Sequence, residues 1–299
     1  MPSQVDKTLS IVFMVEPGAL ETQAHLLVYS ILQNCLDAFQ MIAYCRSHLI
    51  QSIQPTTIEM LKASNVRLVP ITNPFEDGYG AGNKIEVSRI ERSTDWTINL
   101  DTDTILVRPA SILSQAEENT VCVCPTNRNG WTSSNGIWLE LYNSFGLELP
   151  ADDFLMTGGT RGYPFYNAGM VMFSGNTFGE IWKQTALSID ANPKIRKKRP
   201  WLDQISMPVA IERTPGQSVK ILHRRWNDSP DYAGDETALL HYHRPRRLTV
   251  TGHMPQADKI IAKSASDYKT FKDIIKLYAS AGVSPNEKAL QFEVKPKSE

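Results

Sequence analysis

The stretch Trp96-Thr97-Ile98-Asn99-Leu100-Asp101-Thr102-Asp103 decides the reading of the fold. Five residues of strand character end on two carboxylates one residue apart, and the apolar Ile105-Leu106-Val107 follows at once. A D-x-D alone is unspecific, since a chain of this size holds about one by chance. Its position is informative. Acidic side chains at the carboxyl end of a parallel strand sit where open α/β sheets bind ligands. Spaced by one residue, they can share one hard cation, Mg²⁺ or Mn²⁺, together with phosphate oxygens. The bland alternative is a solvated Asp turn closing a strand.

Upstream of this stretch the chain alternates. Residues 9–16 form an apolar, β-branched run that reads as a buried strand. After Pro17-Gly18 a helix places Leu20, Ala24, Leu27, Ile31 and Cys35 on one stripe. Strands are expected at 39–44 and 66–71, with a helix at 55–63 that Pro55 can open. A helix at 83–92 then leads into the strand at 96–100. This alternation predicts an α/β fold with a mostly parallel sheet wrapped by helices. Downstream, strands are expected at 119–125, 165–173, 219–222 and 237–242, and helices at 177–189 and 201–211. A last helix at 268–279 and a polar tail complete the reading. No repeat or linker divides the chain, so one domain of two unequal halves is expected.

Composition narrows the class. With 299 residues, 41% hydrophobic and 21% charged, the chain is not disordered, collagenous or a coiled coil. It is long enough to bury a core without a disulfide or zinc staple. Its 31 basic and 32 acidic residues give a net charge of -1, which argues against a dedicated nucleic-acid binder. No apolar run approaches the roughly 18 residues of a membrane helix. The opening MPSQVDKTLS has no basic-then-apolar leader, so a cytoplasmic location is expected. Cys35, Cys45, Cys122 and Cys124 form no C-x-x-C pair; Cys122 and Cys124 would share one strand face, as buried structural thiols.

Other motifs sort quickly. Gly78-Tyr79-Gly80-Ala81-Gly82 is followed by Asn83 rather than Gly or Ala, so it reads as a loop and not a dinucleotide fingerprint. There is no P-loop, no G-x-S-x-G and no H-E-x-x-H. His241-Tyr242-His243 follows Ala238-Leu239-Leu240; on a strand both imidazoles face one side and favour Mn²⁺, the alternative being a half-buried structural pair. Arg244, Arg246 and Arg247 suit a diphosphate, or a solvated basic turn. The run 194–199, KIRKKR, reads as a solvated face, with an acidic acceptor or an anionic membrane surface as the sharper alternatives.

Taken together, these pieces resemble the GT-A fold nucleotide-sugar glycosyltransferases, closest to glycosyltransferase family 8. "LDTDTIL" resembles that family's D-x-D strand end, and Lys84 stands where it has a basic residue reaching the donor. "YNAGMVMF" and "WLDQISM" resemble its "FNSGVMLI" strand and "DQ" helix start. "HRRWND" matches a "WN" element, and "LLHYHRPRRL" resembles "HFxGxxKPW". The resemblance implies a Rossmann-like domain over 1–263, with a nucleotide-binding half at about 1–110 and an acceptor half at about 111–263. Residues 264–299 would then be a C-terminal helix and tail. It implies donor binding by Val15, Glu16, Lys84, Asp101, Thr102, Asp103 and Arg247. Metal ligands would be Asp101, Asp103, His241 and His243, and the transferred sugar would meet Asn167, Asp203 and Gln204. The implied activity is transfer of a sugar, most simply from a UDP-hexose, to a hydroxyl acceptor with retention and Mn²⁺ or Mg²⁺ as cofactor. An inverting route using Asp152 or Asp153, a nucleotidyltransferase and a silent carbohydrate-binding protein are the alternatives. Departures are Glu16 where Asp is common, Arg244 in place of Gly, and the missing final Pro-Trp.

Overall fold

The computed structural model describes residues 7–244 and 247–253. Its first part alternates strand and helix: β1 (Leu9–Met14), α1 (Ala19–Asn34), β2 (Phe39–Arg46), α2 (Pro55–Ala63), β3 (Val66–Ile71), α3 (Gly82–Ser88) and β4 (Trp96–Leu100). Then come β5 (Thr104–Leu106), β6 (Thr120–Pro125), α4 (Asn135–Asn143), β7 (Phe154–Leu155), β8 (Arg161–Gly162) and β9 (Tyr166–Ser174). The remainder is α5 (Thr177–Ala191), α6 (Leu202–Arg213), β10 (Ser218–Ile221), β11 (Leu239–His241) and α7 (Arg247–Val250). One seven-stranded sheet has the order β10-β6-β9-β4-β1-β2-β3. All its pairings are parallel except those of β9, which runs antiparallel to both β4 and β6.

The pleat assigns the core. On β1, Leu9, Ile11 and Phe13 pack with Ala24 and Leu27 of α1 and Met60 and Leu61 of α2. Val12 points the other way, to Ile42, Tyr44 and Val87. On β6 and β9, Cys122, Cys124, Met170 and Met172 join the first cluster. Val121, Val123, Val171 and Phe173 face α5 and α6 through Phe178, Trp182 and Ile205. Each fully buried aliphatic or aromatic side chain stabilises by about 1.5–3 kcal/mol. A Cβ on Gly179 would lie 2.1 Å from the Ser88 carbonyl oxygen, so only glycine lets α5 press onto the end of α3. The four cysteines are free thiols, three of them buried. No described helix is long and apolar enough to cross a membrane.

Several elements differ from expectation, each for a local reason. The helix expected over 83–92 ends at Ser88, where the Arg92 guanidinium turns back and takes the carbonyls of Val87 and Ile90 at 2.6 Å. The strand expected over 237–242 is only β11, because the Thr237 backbone is diverted from the ladder: its N–H donates to Gly234 O at 3.1 Å and its carbonyl accepts from Arg108 Nε at 2.6 Å. Helix α4 was not anticipated; its nine residues offer too few turns for a clear period, yet Trp138, Leu141 and Tyr142 are buried. The basic run is not simply a solvated face. Lys198 Nζ donates to the carbonyls of Ile189, Asp190 and Asn192 at the end of α5, and Arg199 bridges Asp190 and Asp77 beneath the Tyr79 ring. Lys194, Arg196 and Lys197 remain exposed. The helix expected at 268–279 and the tail to 299 lie outside the described residues.

Candidate active site

The end of β4 is pinned from three sides. Asp101 N donates to Gly169 O of β9 at 2.9 Å, Thr102 Oγ1 to Met14 O of β1 at 2.5 Å, and Thr104 N and Oγ1 both to Asp101 O. This turn leaves both carboxylates partly open at the sheet's carboxyl edge, with 28% and 22% of their side chains exposed. Antiparallel pairing of β11 with β5 then brings His241 opposite Thr104, and Tyr242 N donates to Asp103 O at 3.0 Å.

His241 is buried, and both ring nitrogens are assigned by their surroundings. Nδ1 lies 3.1 Å from Asn227 Oδ1, so it carries the proton and donates. Nε2 faces Asp103 Oδ1 at 3.1 Å and Asp101 Oδ2 at 3.7 Å. His243 follows in a turn at φ 57°, a left-handed conformation that a non-glycine residue rarely adopts, and its ring centroid lies 4.0 Å from that of His241. Strand alternation does not bring the imidazoles together, then; a strained turn does. One ligand atom each from Asp103, His241 and His243 fall within 4.8 Å of one another. Two neutral-capable imidazoles and a carboxylate suit a divalent ion such as Mn²⁺, and the Asn227 bond supplies the outer-shell orientation such ligands need.

Charge is tightly coupled here. Lys84 Nζ sits 2.5 Å from Asp101 Oδ1 and 3.7 Å from Asp203 Oδ2. Burial would favour the neutral amine, but these carboxylates outweigh it and raise the Lys84 pKa. Burial pushes Asp203 above its usual value, against the pull of Lys84. Asp103 is desolvated too, yet the facing His241 holds it below the usual carboxylate range. Burial and the neighbouring His241 lower His243 to about 3, keeping its ring neutral.

Three cavities meet at these side chains. One of 420 Å³ lies between Leu20 and Gln23 of α1, Gly80, Ala81 and the 101–103 turn. A second, of 680 Å³, holds Asn167, Asp203, Gln204, Trp201 and Asn127. Lys84, Asp101 and Asp103 border both. The third, of 260 Å³, lies beyond His241 on the side of Asp228, Tyr232 and Arg247. His243 borders all three.

The structure therefore gathers Lys84, Asp101, Asp103, Asn167, Asp203, Gln204, His241 and His243. Thr102 lines the 420 Å³ cavity, but its hydroxyl is spent on Met14. Val15 is fully buried in the core and borders none of these three cavities. Glu16 is consumed by Arg46, at 2.6 and 2.8 Å, and by Asn83. Arg247 lies on the 260 Å³ cavity, paired with Asp231, and is not on the 420 Å³ wall. Gly80 and Ala81, read from sequence as plain loop, form part of that wall. Gln23 and the outer-shell role of Asn227 were missed; a polar residue on an otherwise apolar helix stripe was the available signal for Gln23.

Comparison with known proteins agrees with this architecture. Residues 11–215 match the family model described as a Rhodobacterales glycosyltransferase domain. No curated protein matches the sequence. Among solved structures, the galactosyltransferase LgtC in complex with donor and acceptor sugar analogues is 10% identical, covers 88% of this chain and 99% of its own, and superposes with a TM-score of 0.58. The WbbM bifunctional glycosyltransferase gives 0.57 at 13% identity over 91% of this chain, which spans only 52% of that longer protein. GlyE of Streptococcus pneumoniae gives 0.53 at 12% identity, over 93% and 64%. These likenesses establish the GT-A fold.

Proposed function

Because the chain belongs to the Rhodobacterales glycosyltransferase family and is thus an enzyme of sugar transfer, we propose that its donor is a nucleoside diphosphate sugar, most simply a UDP-hexose. The nucleotide would enter the 420 Å³ cavity and the hexose the 680 Å³ cavity. One observation carries this reading: the Asp103–His241–His243 cluster lies where the two cavities meet, with Lys84 bordering both. A diphosphate must span that junction to put its base on one side and its sugar on the other.

In this reading Asp103, His241 and His243, with Asp101 beside them, hold Mn²⁺ or Mg²⁺. The ion supplies Lewis acidity to the departing diphosphate. The protein's own residues do the rest. Lys84 keeps its proton and contributes fixed positive charge where the leaving group gains negative charge. Asp203, buried 3.7 Å from Lys84, faces the sugar and stabilises positive charge developing at its anomeric carbon. Gln204 Oε1 is buried without a protein partner, and a sugar hydroxyl supplies the missing donor. Asn167 Oδ1 is fixed by Gly169 N at 2.8 Å, leaving its amide NH₂ for the sugar or acceptor. Asp152 and Asp153 border none of the three cavities, which favours retention over a route needing them as base.

The test is slow hydrolysis of nucleotide sugars without acceptor, across a donor panel with and without Mn²⁺. Release of UDP from one donor is the expected result. Pyrophosphate production, or no nucleoside diphosphate from any donor, defeats the reading.

A further inference from the structure

The donor reading fills two of the three cavities and leaves the third. We propose that the 260 Å³ cavity is the acceptor subsite, and that it receives a saccharide bearing an anionic group, carboxylate or phosphate. This rests on the sugar-transfer reading of the same site.

Position is the first argument. The third cavity shares Asn127, Arg128 and Asn167, as well as His241 and His243, with the 680 Å³ cavity assigned to the transferred sugar. A hydroxyl presented from it approaches along that shared wall, on the side of the metal-ligating histidines where the diphosphate departs. The acceptor oxygen bonds the anomeric carbon, the bond from that carbon to the diphosphate oxygen breaks with its electron pair, and the hydroxyl proton passes to the departing diphosphate. Tyr232 Oη donates to Asn127 Oδ1 at 2.9 Å, which fixes the amide and leaves its NH₂ to meet a sugar hydroxyl.

Charge is the second argument. Three guanidinium groups, from Arg128, Arg224 and Arg247, line this one small cavity. Arg224 pairs with Glu236 at 3.2 Å and Arg247 with Asp231, but those carboxylates are 51% and 55% exposed. Exposed pairs of this kind contribute little and exchange readily for a ligand anion. Arg128 is exposed and has no ionic partner among the described residues. The remaining acid on the wall, Asp228, is 1% exposed; its Oδ2 accepts from the Thr237 hydroxyl at 2.7 Å and its Oδ1 has no hydrogen-bond partner among the described residues, so the three guanidinium groups outnumber it on this wall. Planar guanidinium groups around a polar cavity match carboxylate and phosphate in bidentate geometry.

The test pairs neutral and charged acceptors of one ring: glucose, glucuronic acid and glucose 6-phosphate, and galactose with galacturonic acid. Each is offered with the donor found by the hydrolysis panel, and product is measured by mass spectrometry. The expected result is a preference of at least about tenfold in kcat/KM for a charged acceptor, in line with charge-assisted hydrogen bonds. Arg128→Gln and Arg224→Gln should each collapse that preference towards unity, and Arg128→Lys should restore part of it. Glucuronic acid against glucose 6-phosphate tells which anion is read. Equal use of neutral and charged sugars, or a preference untouched in both Gln variants, overturns the proposal. Donor hydrolysis without transfer to any charged sugar overturns it too, while the donor reading stands. No donor turnover at all defeats both.

Discussion

Gly169 is glycine because of His241. A Cβ at position 169 would lie 2.5 Å from both Cε1 and Nδ1 of the imidazole, and 2.9 Å from Asn167 Oδ1. The strand that carries Asn167 thus sets the position of a proposed metal ligand from another element. Gly169→Ala should fold, with a loss of about 1–3 kcal/mol from overpacking, but should weaken Mn²⁺ binding at least about tenfold. Electron paramagnetic resonance titration of Mn²⁺ measures the affinity, and chemical denaturation the stability. Unchanged Mn²⁺ affinity would show that the ring is free to move aside.

Asp101→Ala and Asp103→Ala should each abolish transfer while leaving the fold intact, since both side chains face the cavities rather than the core. Asp101→Ala should also release Lys84, whose ammonium then keeps Asp203 at 3.7 Å as its ion-pair partner, with Asp103 farther off. Turnover near that of the parent protein in either variant, with Mn²⁺ present, contradicts the assignment.

The two histidines should separate. His241 is oriented by Asn227 and faces both carboxylates, whereas His243 stands on a strained turn. His241→Ala should therefore cost more Mn²⁺ or nucleotide affinity than His243→Ala. Asn227→Ala should reduce Mn²⁺ affinity by about 10- to 100-fold without removing a ligand, by freeing the tautomer. Isothermal titration with Mn²⁺ and UDP ranks the three variants; a larger loss at His243 reverses the order.

Asp203→Asn should slow acceptor-free hydrolysis of the donor with little change in UDP affinity, because its carboxylate borders the 680 Å³ cavity and not the 420 Å³ one. Steady-state hydrolysis and UDP titration give the two numbers. A parallel loss of UDP affinity would move Asp203 to the diphosphate.

Stability at acid pH should report on Glu86. Despite desolvation, Arg89 and Lys183 hold this buried carboxylate below its ordinary value, and the Lys183 contact, at 2.9 Å, ties α3 to α5. A lowered folded pKa stabilises above the unfolded value, about 4.3. That stability is lost as pH falls through the folded pKa. Glu86→Gln should cost about 2–4 kcal/mol at pH 7, and the gap to the parent should narrow below about pH 4. Urea denaturation across pH tests this; a pH-independent gap would assign the cost to packing alone.

The alternation of apolar runs with Pro- and Gly-marked turns was sufficient for β1 to β4 and their helices, because a parallel sheet buries both strand faces and writes long apolar runs into the chain. It also placed Asp101 and Asp103, since a strand end is a local event. Asn167, Asp203, Gln204 and Lys84 came from resemblance rather than from periodicity, and each borders the 680 Å³ cavity. Helix α4 was not legible because nine residues offer too few turns for a clear period, and the early end of α3 because the side-chain bonds of Arg92 decide it.

What the sequence by itself determined is the α/β alternation and the acidic strand end, both products of near-neighbour patterning. Tertiary structure alone decided which groups are free to act. Glu16 pairs with Arg46 thirty positions away, Lys198 caps α5, and Arg247 turns to a third cavity; His241 comes to Asp103 through the pairing of β11 with β5. The physical reason is that the state of a charged side chain depends on the partner it meets. Such partners lie far apart in the chain and become neighbours only once the sheet is assembled.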